Sequence, residues 1–152
     1  MQDQHPFTYI RKEKLNKEQA YIYIKGFLNG LAHDREFCLN LKNKPSRCKC
    51  FKEIIQQHPE WVDFMAPFLY SFYNLGKKEK DEYLFNTIRT GASQKNGKKA
   101  KHYPIPSTGK PNGVEDQLIC HYTFFNVMQV GERRYLKLMT ACQSTWTYWK
   151  TF

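Results

Sequence analysis

Long apolar runs are missing from this chain. Nowhere do 18 apolar residues stand together, which predicts no membrane-spanning helix. The opening Met1-Gln2-Asp3-Gln4-His5-Pro6 has no apolar stretch of the kind a secretory leader carries, so export is not expected. Carboxylates are scarce: 14 acidic residues stand against 24 basic ones, a formal net charge of +10. That imbalance points to a polyanionic partner, nucleic acid ahead of membrane, against the plainer reading of charge that only keeps a protein dispersed. Cysteine is limited to five residues. An odd count without a leader argues against a closed disulfide framework and for free thiols in a reducing compartment. A nuclear location is expected, with the cytoplasm as the alternative.

The chemistry-bearing patterns of most enzymes are absent too. There is no glycine-rich phosphate loop, no histidine pair at ligand spacing, no internal repeat and no heptad. Cys120 and His121 are neighbours in sequence, so on a helix their side chains diverge instead of forming a nucleophile–base pair. Glu79, Asp81 and Glu82 fit a solvated helix face, and Glu115-Asp116 fits a helix start. Nothing singles out the separated acids that a two-metal nuclease needs. A non-catalytic protein is expected.

What is present is ring surface and positive charge. At 152 residues, with 41% hydrophobic and 16% aromatic content, the chain can bury a substantial core as one domain. The reading is a mainly α, small helical domain over residues 17–152, preceded by a basic N-terminal arm at 1–16, with a long basic loop at 89–115. Asn16 is placed to cap a helix over 17–31, in which Tyr21, Ile24, Phe27, Leu28 and Leu31 recur at helical spacing. A short helix is predicted over 51–57. Residues 60–75 are apolar nearly all round and predict a central core helix, kinked or interrupted at Pro67. Gly76 separates it from a helix over 77–89, whose Tyr83, Leu84 and Ile88 form one face.

Residues 89–110 are the most informative segment. These 22 positions carry Arg89, Lys95, Lys98, Lys99, Lys101 and Lys110 and no carboxylate. Three glycines, Pro104 and Pro106 argue against a regular helix there, and residues 102–106 predict a short extended piece. Tyr83, Phe85 and Tyr103 stand near these cations and are candidates to stack on unpaired bases, although aromatic rings more often belong to a core. From residue 116 onward the chain is predicted helical again, with Ile119, Tyr122, Phe125 and Met128 on one face. A break at 129–132 leads to a second helix from about 132 to 143. Two helices about a Gly-centred turn have the form of a helix-turn-helix hairpin, whose second helix would present Arg133, Arg134, Lys137 and Thr140 to a duplex. Lys137 stands near the place where an apolar residue usually locks such a hairpin, so a plain helical hairpin with a solvated basic face is the alternative. The tail brings Trp146 and Trp149, which either pack on the core or dock a protein partner.

Another basic stretch, residues 41–52, has no acid and holds Arg47-Cys48-Lys49-Cys50. Zinc takes about four thiolate or imidazole ligands in a tetrahedron. Cys48 and Cys50 are its candidate ligands here, and Cys38, His58, Cys120 and His121 are candidates to complete the set. Free or buried thiols are the alternative. No other cofactor is expected.

Three pieces together resemble the amino-terminal region of transposase-like proteins of eukaryotic mobile elements. They are Arg47-Cys48-Lys49-Cys50, the block Phe72-Tyr73-Asn74-Leu75-Gly76-Lys77-Lys78-Glu79, and Tyr103-Pro104-Ile105-Pro106 followed by Ile119-Cys120 and the run from Val127 to Tyr135. The resemblance covers roughly residues 48–140 and implies a DNA-binding or accessory part that stands before a separate ribonuclease-H-like catalytic domain. The expected function is therefore non-catalytic binding of duplex DNA. Arg47, Lys49, Lys95, Lys98, Lys99 and Lys101 would meet phosphates, and Arg133, Arg134 and Lys137 would add groove or backbone contacts. Binding of RNA or single strands, and a protein-interaction module, are the alternatives.

Overall fold

The computed structural model describes residues 6–94, 101–108 and 117–150, the side chains of 92–94 and 143–150 excepted. It is mainly α, as the sequence predicts, with one two-stranded ribbon among the described residues. Helix α1 (Pro6–Glu13) lies within the stretch read as a basic arm, and it packs on α2 (Lys17–His33), with Tyr9 stacked on Tyr23 at 4.1 Å. Asn16 caps α2 in both directions. Its Oδ1 accepts the Gln19 amide at 2.9 Å, and the Gln19 side chain accepts the Asn16 amide at 3.1 Å. The deepest stripe of α2 is Ala20, Ile24, Leu28 and Ala32, each fully buried at i, i+4 spacing. The alanines on this stripe let α4 (Trp61–Tyr73) lie close against it.

Helix α4 is buried on several sides by Trp61, Met65, Leu69 and Tyr73 among others, and it runs through Pro67 without interruption. An internal proline costs about 3 kcal/mol in an isolated helix. Here α4 lies at the centre of the core, and burial of its side chains, at roughly 1.5–3 kcal/mol for each large one, outweighs that cost. Helix α3 (Cys50–Gln57) sits on α2 through Phe51 and Ile55.

Several sequence expectations are corrected. The first concerns the start of the basic loop. Helix α5 (Lys77–Gln94) continues past residue 89, so residues 89–94 are helical. Leu84, Ile88 and Gly91 follow one another on a buried stripe, against which α7 (Glu132–Lys150) packs. That packing overrides the roughly 1 kcal/mol a helical glycine costs. Helix α7 likewise outruns its predicted end at residue 143.

The second concerns residues 117–120, predicted helical. Leu118–Cys120 form strand β2, paired antiparallel with β1 (His102–Pro104) in the register His102 to Cys120, Tyr103 to Ile119 and Pro104 to Leu118. Ile119 is fully buried, and the Tyr103 ring lies beneath Phe124 and Phe125, at 5.0 and 5.8 Å between centroids. The helix begins only at α6 (His121–Val127).

A buried bond ties the helical frame to α6. The Tyr73 hydroxyl donates to the Val127 carbonyl at 2.7 Å, and burial holds that phenol well above the ordinary tyrosine range. Replacing Tyr73 with Phe leaves the carbonyl without this donor. It should lower unfolding free energy by about 1 to 3 kcal/mol in urea denaturation. An unchanged midpoint would show that the bond contributes nothing in solution.

Candidate metal centre

Four cysteines from three parts of the chain meet at one point. The sulfurs of Cys38, Cys48, Cys50 and Cys120 all lie within 4.8 Å of one another. Cys38 and Cys50 are 3.7 Å apart at sulfur. A tetrahedral site with metal–sulfur bonds near 2.3 Å has sulfur–sulfur edges of about 3.8 Å, so the group needs only a small contraction to hold an ion such as zinc. All five cysteines are free thiols, and the fifth, Cys142, is buried in α7 outside the group.

Local structure explains how each sulfur reaches the point. Residues 38–48 double back as a small hairpin. The Cys38 amide donates to the Cys48 carbonyl at 2.7 Å, and the Ser46 amide donates to the Cys38 carbonyl at 2.8 Å. Leu39 and Pro45 form an antiparallel bridge, and Asn43 turns the chain at φ 61°. Asparagine tolerates that left-handed backbone better than most residues. Cys50 is the first residue of α3. Cys120 is the N-cap of α6, its sulfur accepting the Thr123 amide at 3.5 Å. Its own amide donates to the Cys50 sulfur at 3.2 Å, across 70 positions of sequence.

The hairpin is also fastened from α6. Asn126 Nδ2 donates to the Leu39 carbonyl at 2.6 Å and reaches the Asn40 carbonyl at 3.2 Å. On the other flank, Lys52 Nζ caps the carbonyls of His33 and Arg35 at the end of α2, at 3.4 and 3.5 Å. The hairpin is thus held from α6, and α3, which follows it, is fastened to the end of α2.

The thiols compete for charge. Hydrogen bonding from Cys120, then from Cys50, pulls the Cys38 thiol far below the ordinary range. The same interactions push Cys50 far up, Cys120 first among its causes, and contact with Cys38 raises Cys120 to about 11. One thiolate held by neighbouring thiols is therefore the stable arrangement without a cation, because like charges this close oppose one another. A divalent ion removes that opposition. Four protein sulfurs would leave it no open position, which suits a structural ion and not a Lewis-acid catalyst.

Of the candidate ligands read from sequence, Cys38 and Cys120 join Cys48 and Cys50. His58 does not: it is exposed, with Nδ1 3.5 Å from Glu60. His121 lies one residue beyond Cys120, its Nδ1 3.2 Å from the Lys101 carbonyl. The spacing alone could not choose Cys120, since the sequence reading placed it inside a helix and not at a helix cap.

The predicted nucleic-acid residues divide. Arg47 and Lys49 stand exposed on the hairpin. Lys49 is drawn to Glu36 at 3.6 Å and over the Phe37 ring. Lys101 is exposed, and its carbonyl accepts the His121 amide at 2.9 Å, next to Cys120. Lys95, Lys98 and Lys99 lie outside the described residues. Arg133 and Lys137 are exposed on α7. Arg134 faces inward and binds Asp81 of α5, with Nε at 2.7 Å.

Compared with protein-family models, curated proteins and solved structures, the chain matches none.

Asn126→Ala should lower stability by about 1 to 3 kcal/mol through loss of the two carbonyl bonds. Faster amide exchange confined to residues 38–50 is the expected companion in hydrogen-exchange mass spectrometry. Exchange that rises evenly over the whole chain would mean Asn126 serves the fold generally and not the hairpin.

Proposed function

We propose that this protein binds duplex DNA without catalysing a reaction on it, and that one structural zinc ion at Cys38, Cys48, Cys50 and Cys120 ties its basic segments in place. The observation that carries this reading is that the basic hairpin supplies two of the four sulfurs, while Lys101 at the end of the basic loop is hydrogen-bonded to His121, the neighbour of a third, Cys120. Zinc fits because it prefers four-coordinate tetrahedral sulfur. Duplex DNA fits because +10 of net charge is concentrated in segments empty of carboxylates, and phosphate neutralisation is the dominant sequence-independent source of affinity.

Ring placement supports duplex over single-stranded partners. Tyr103 is 1% exposed and packed under Phe124 and Phe125, while Tyr83 packs against Phe68 and Phe72, at 5.5 and 5.7 Å. Neither offers a free stacking platform beside the basic loop, which leaves half-buried Phe85, with Arg89 over its ring at 5.9 Å, as the one candidate of the three. In this reading the chain works as the accessory region of the transposase-like proteins does, binding DNA while chemistry belongs elsewhere, and it acts in the nucleus.

Purified protein should carry one zinc per chain by elemental analysis. Its removal by a chelator should unfold the hairpin, with a large fall in melting temperature, because binding energy at such a site is folding energy. Protein that carries no metal and melts the same with or without added zinc would overturn the structural ion. For DNA, fluorescence anisotropy with a random 30-base-pair duplex across a salt series should give a steep negative slope. Replacing Lys95, Lys98, Lys99 and Lys101 with Gln should flatten it by about 3 to 4 units, at roughly 0.9 per phosphate contact. No binding at low salt would overturn the DNA reading.

A further inference from the structure

The cations of the stretch from Phe37 to Lys52 do two different jobs. No carboxylate occurs in that stretch, so its charge is unopposed along the chain. Lys52 is used inside the protein: its ammonium sits on the carbonyls of His33, the last residue of α2, and of Arg35 just beyond it. Lys49 is held by Glu36 and the Phe37 ring. Lys42, Lys44 and Arg47 are exposed, on or beside the turn of the hairpin.

The turn that carries them is fixed in shape. Asn40 Oδ1 accepts the amides of both Lys42 and Lys44, at 2.8 and 3.1 Å. The Asn40 amide donates to the Lys44 carbonyl at 2.8 Å, and the Asn43 amide donates to the Asn40 carbonyl at 2.9 Å. One end of the hairpin is pinned by Cys38 and the other by Cys48 and Cys50. The backbone beneath these cations is therefore ordered before any ligand arrives, which lowers the entropy lost on binding.

We propose that Lys42, Lys44 and Arg47 form a preordered phosphate-binding surface of this protein for duplex DNA, with Lys101 beside the same sulfur centre, in preference to the α6–α7 hairpin. The proposal rests on the DNA reading above and names the face that performs it. Arg47 suits a phosphate in two-pronged contact, and the two lysines act as point charges flanking the turn. The α6–α7 hairpin is poorer because Arg134, the central one of its three cations, is already bound to Asp81.

Three variants separate the jobs: Lys42→Gln/Lys44→Gln/Arg47→Gln, Lys49→Gln/Lys52→Gln, and Arg133→Gln/Lys137→Gln. Each is measured with the same duplex and salt series, alongside zinc content and melting temperature. The first should keep its metal and melting temperature yet flatten the salt slope by about 2 to 3 units, at roughly 0.9 per contact. The second should keep the slope and melt lower. The third should match the wild type in both. If the triple variant loses its metal, the single changes Lys44→Gln and Arg47→Gln should each remove about 0.9 unit. A wild type that binds steeply while the first variant, or both single changes, keep that slope would overturn the proposal, as would a loss of slope confined to the third. A wild type that does not bind at all would overturn the DNA reading itself.

Discussion

Four sulfurs within 4.8 Å of one another are the constraint on which this fold's less regular half depends. The hairpin of residues 38–48 has one isolated bridge, α3 is two turns long, and each strand of the ribbon has three residues. None of these would hold alone in water, since short helices and two-stranded ribbons are marginal without tertiary support. The sulfur group joins all of them: Cys38 and Cys48 from the hairpin, Cys50 from α3 and Cys120 from the end of β2. Bringing together points 12 and 70 positions apart costs loop-closure entropy, which an ion bound at the sulfurs would offset. The arrangement also carries its own penalty, because four thiols this close cannot all ionise. Hydrogen bonds from Cys120 and Cys50 favour ionisation of Cys38, and contact with Cys38 raises Cys120.

The helical half supplies the floor. Helices α2 and α4 share a stripe of small and branched residues, and α5 and α7 form a second pair joined by Arg134 and Asp81. Aromatic rings then connect floor to ribbon: Tyr103 lies under Phe124 and Phe125, and Phe125 meets Tyr135 of α7 edge-on at 4.8 Å. The Tyr73 hydroxyl and the Asn126 side chain carry the connection on, one into α6 and the other from α6 into the hairpin. The path from core helix to sulfur centre is continuous in hydrogen bonds and packed rings.

Local signals made much of the helical half legible. Asn16 and Gln19 mark the start of α2, the apolar density of residues 60–75 marks α4, and Gly76 marks the break before α5. Long-range signals were not legible. The continuation of α5 through Gly91 depends on α7, more than 40 residues later. Residues 118–120 become a strand because Ile119 must enter the core opposite Tyr103, and helical periodicity does not reveal that partner. The sulfur group shows the same limit. Cys48 and Cys50 declare themselves by proximity, and Cys38 is near enough to suspect, while Cys120 stood level with two histidines as a candidate. Arg134 misled for a related reason: a surface cation and an ion-paired one look identical until Asp81 is brought beside it.

That last distinction bears on how net charge becomes function. A divalent ion held by four thiolates would carry a net charge of about −2, so the centre would be an anion set inside a basic stretch. Amide hydrogens on Cys50 and Cys120 sulfur offset part of that charge at short range. Lys49 and Lys52, held near the ends of the hairpin, would offset more of it, Lys49 from a solvent-exposed position. The cations at the turn stand in water, where the field of the centre is weakened by solvent and salt. The same basic stretch can therefore stabilise an anionic centre at its base and still present positive charge at its tip. A chain with fewer cations here could serve one of these purposes, and the absence of any acid between Phe37 and Lys52 would let this stretch serve both.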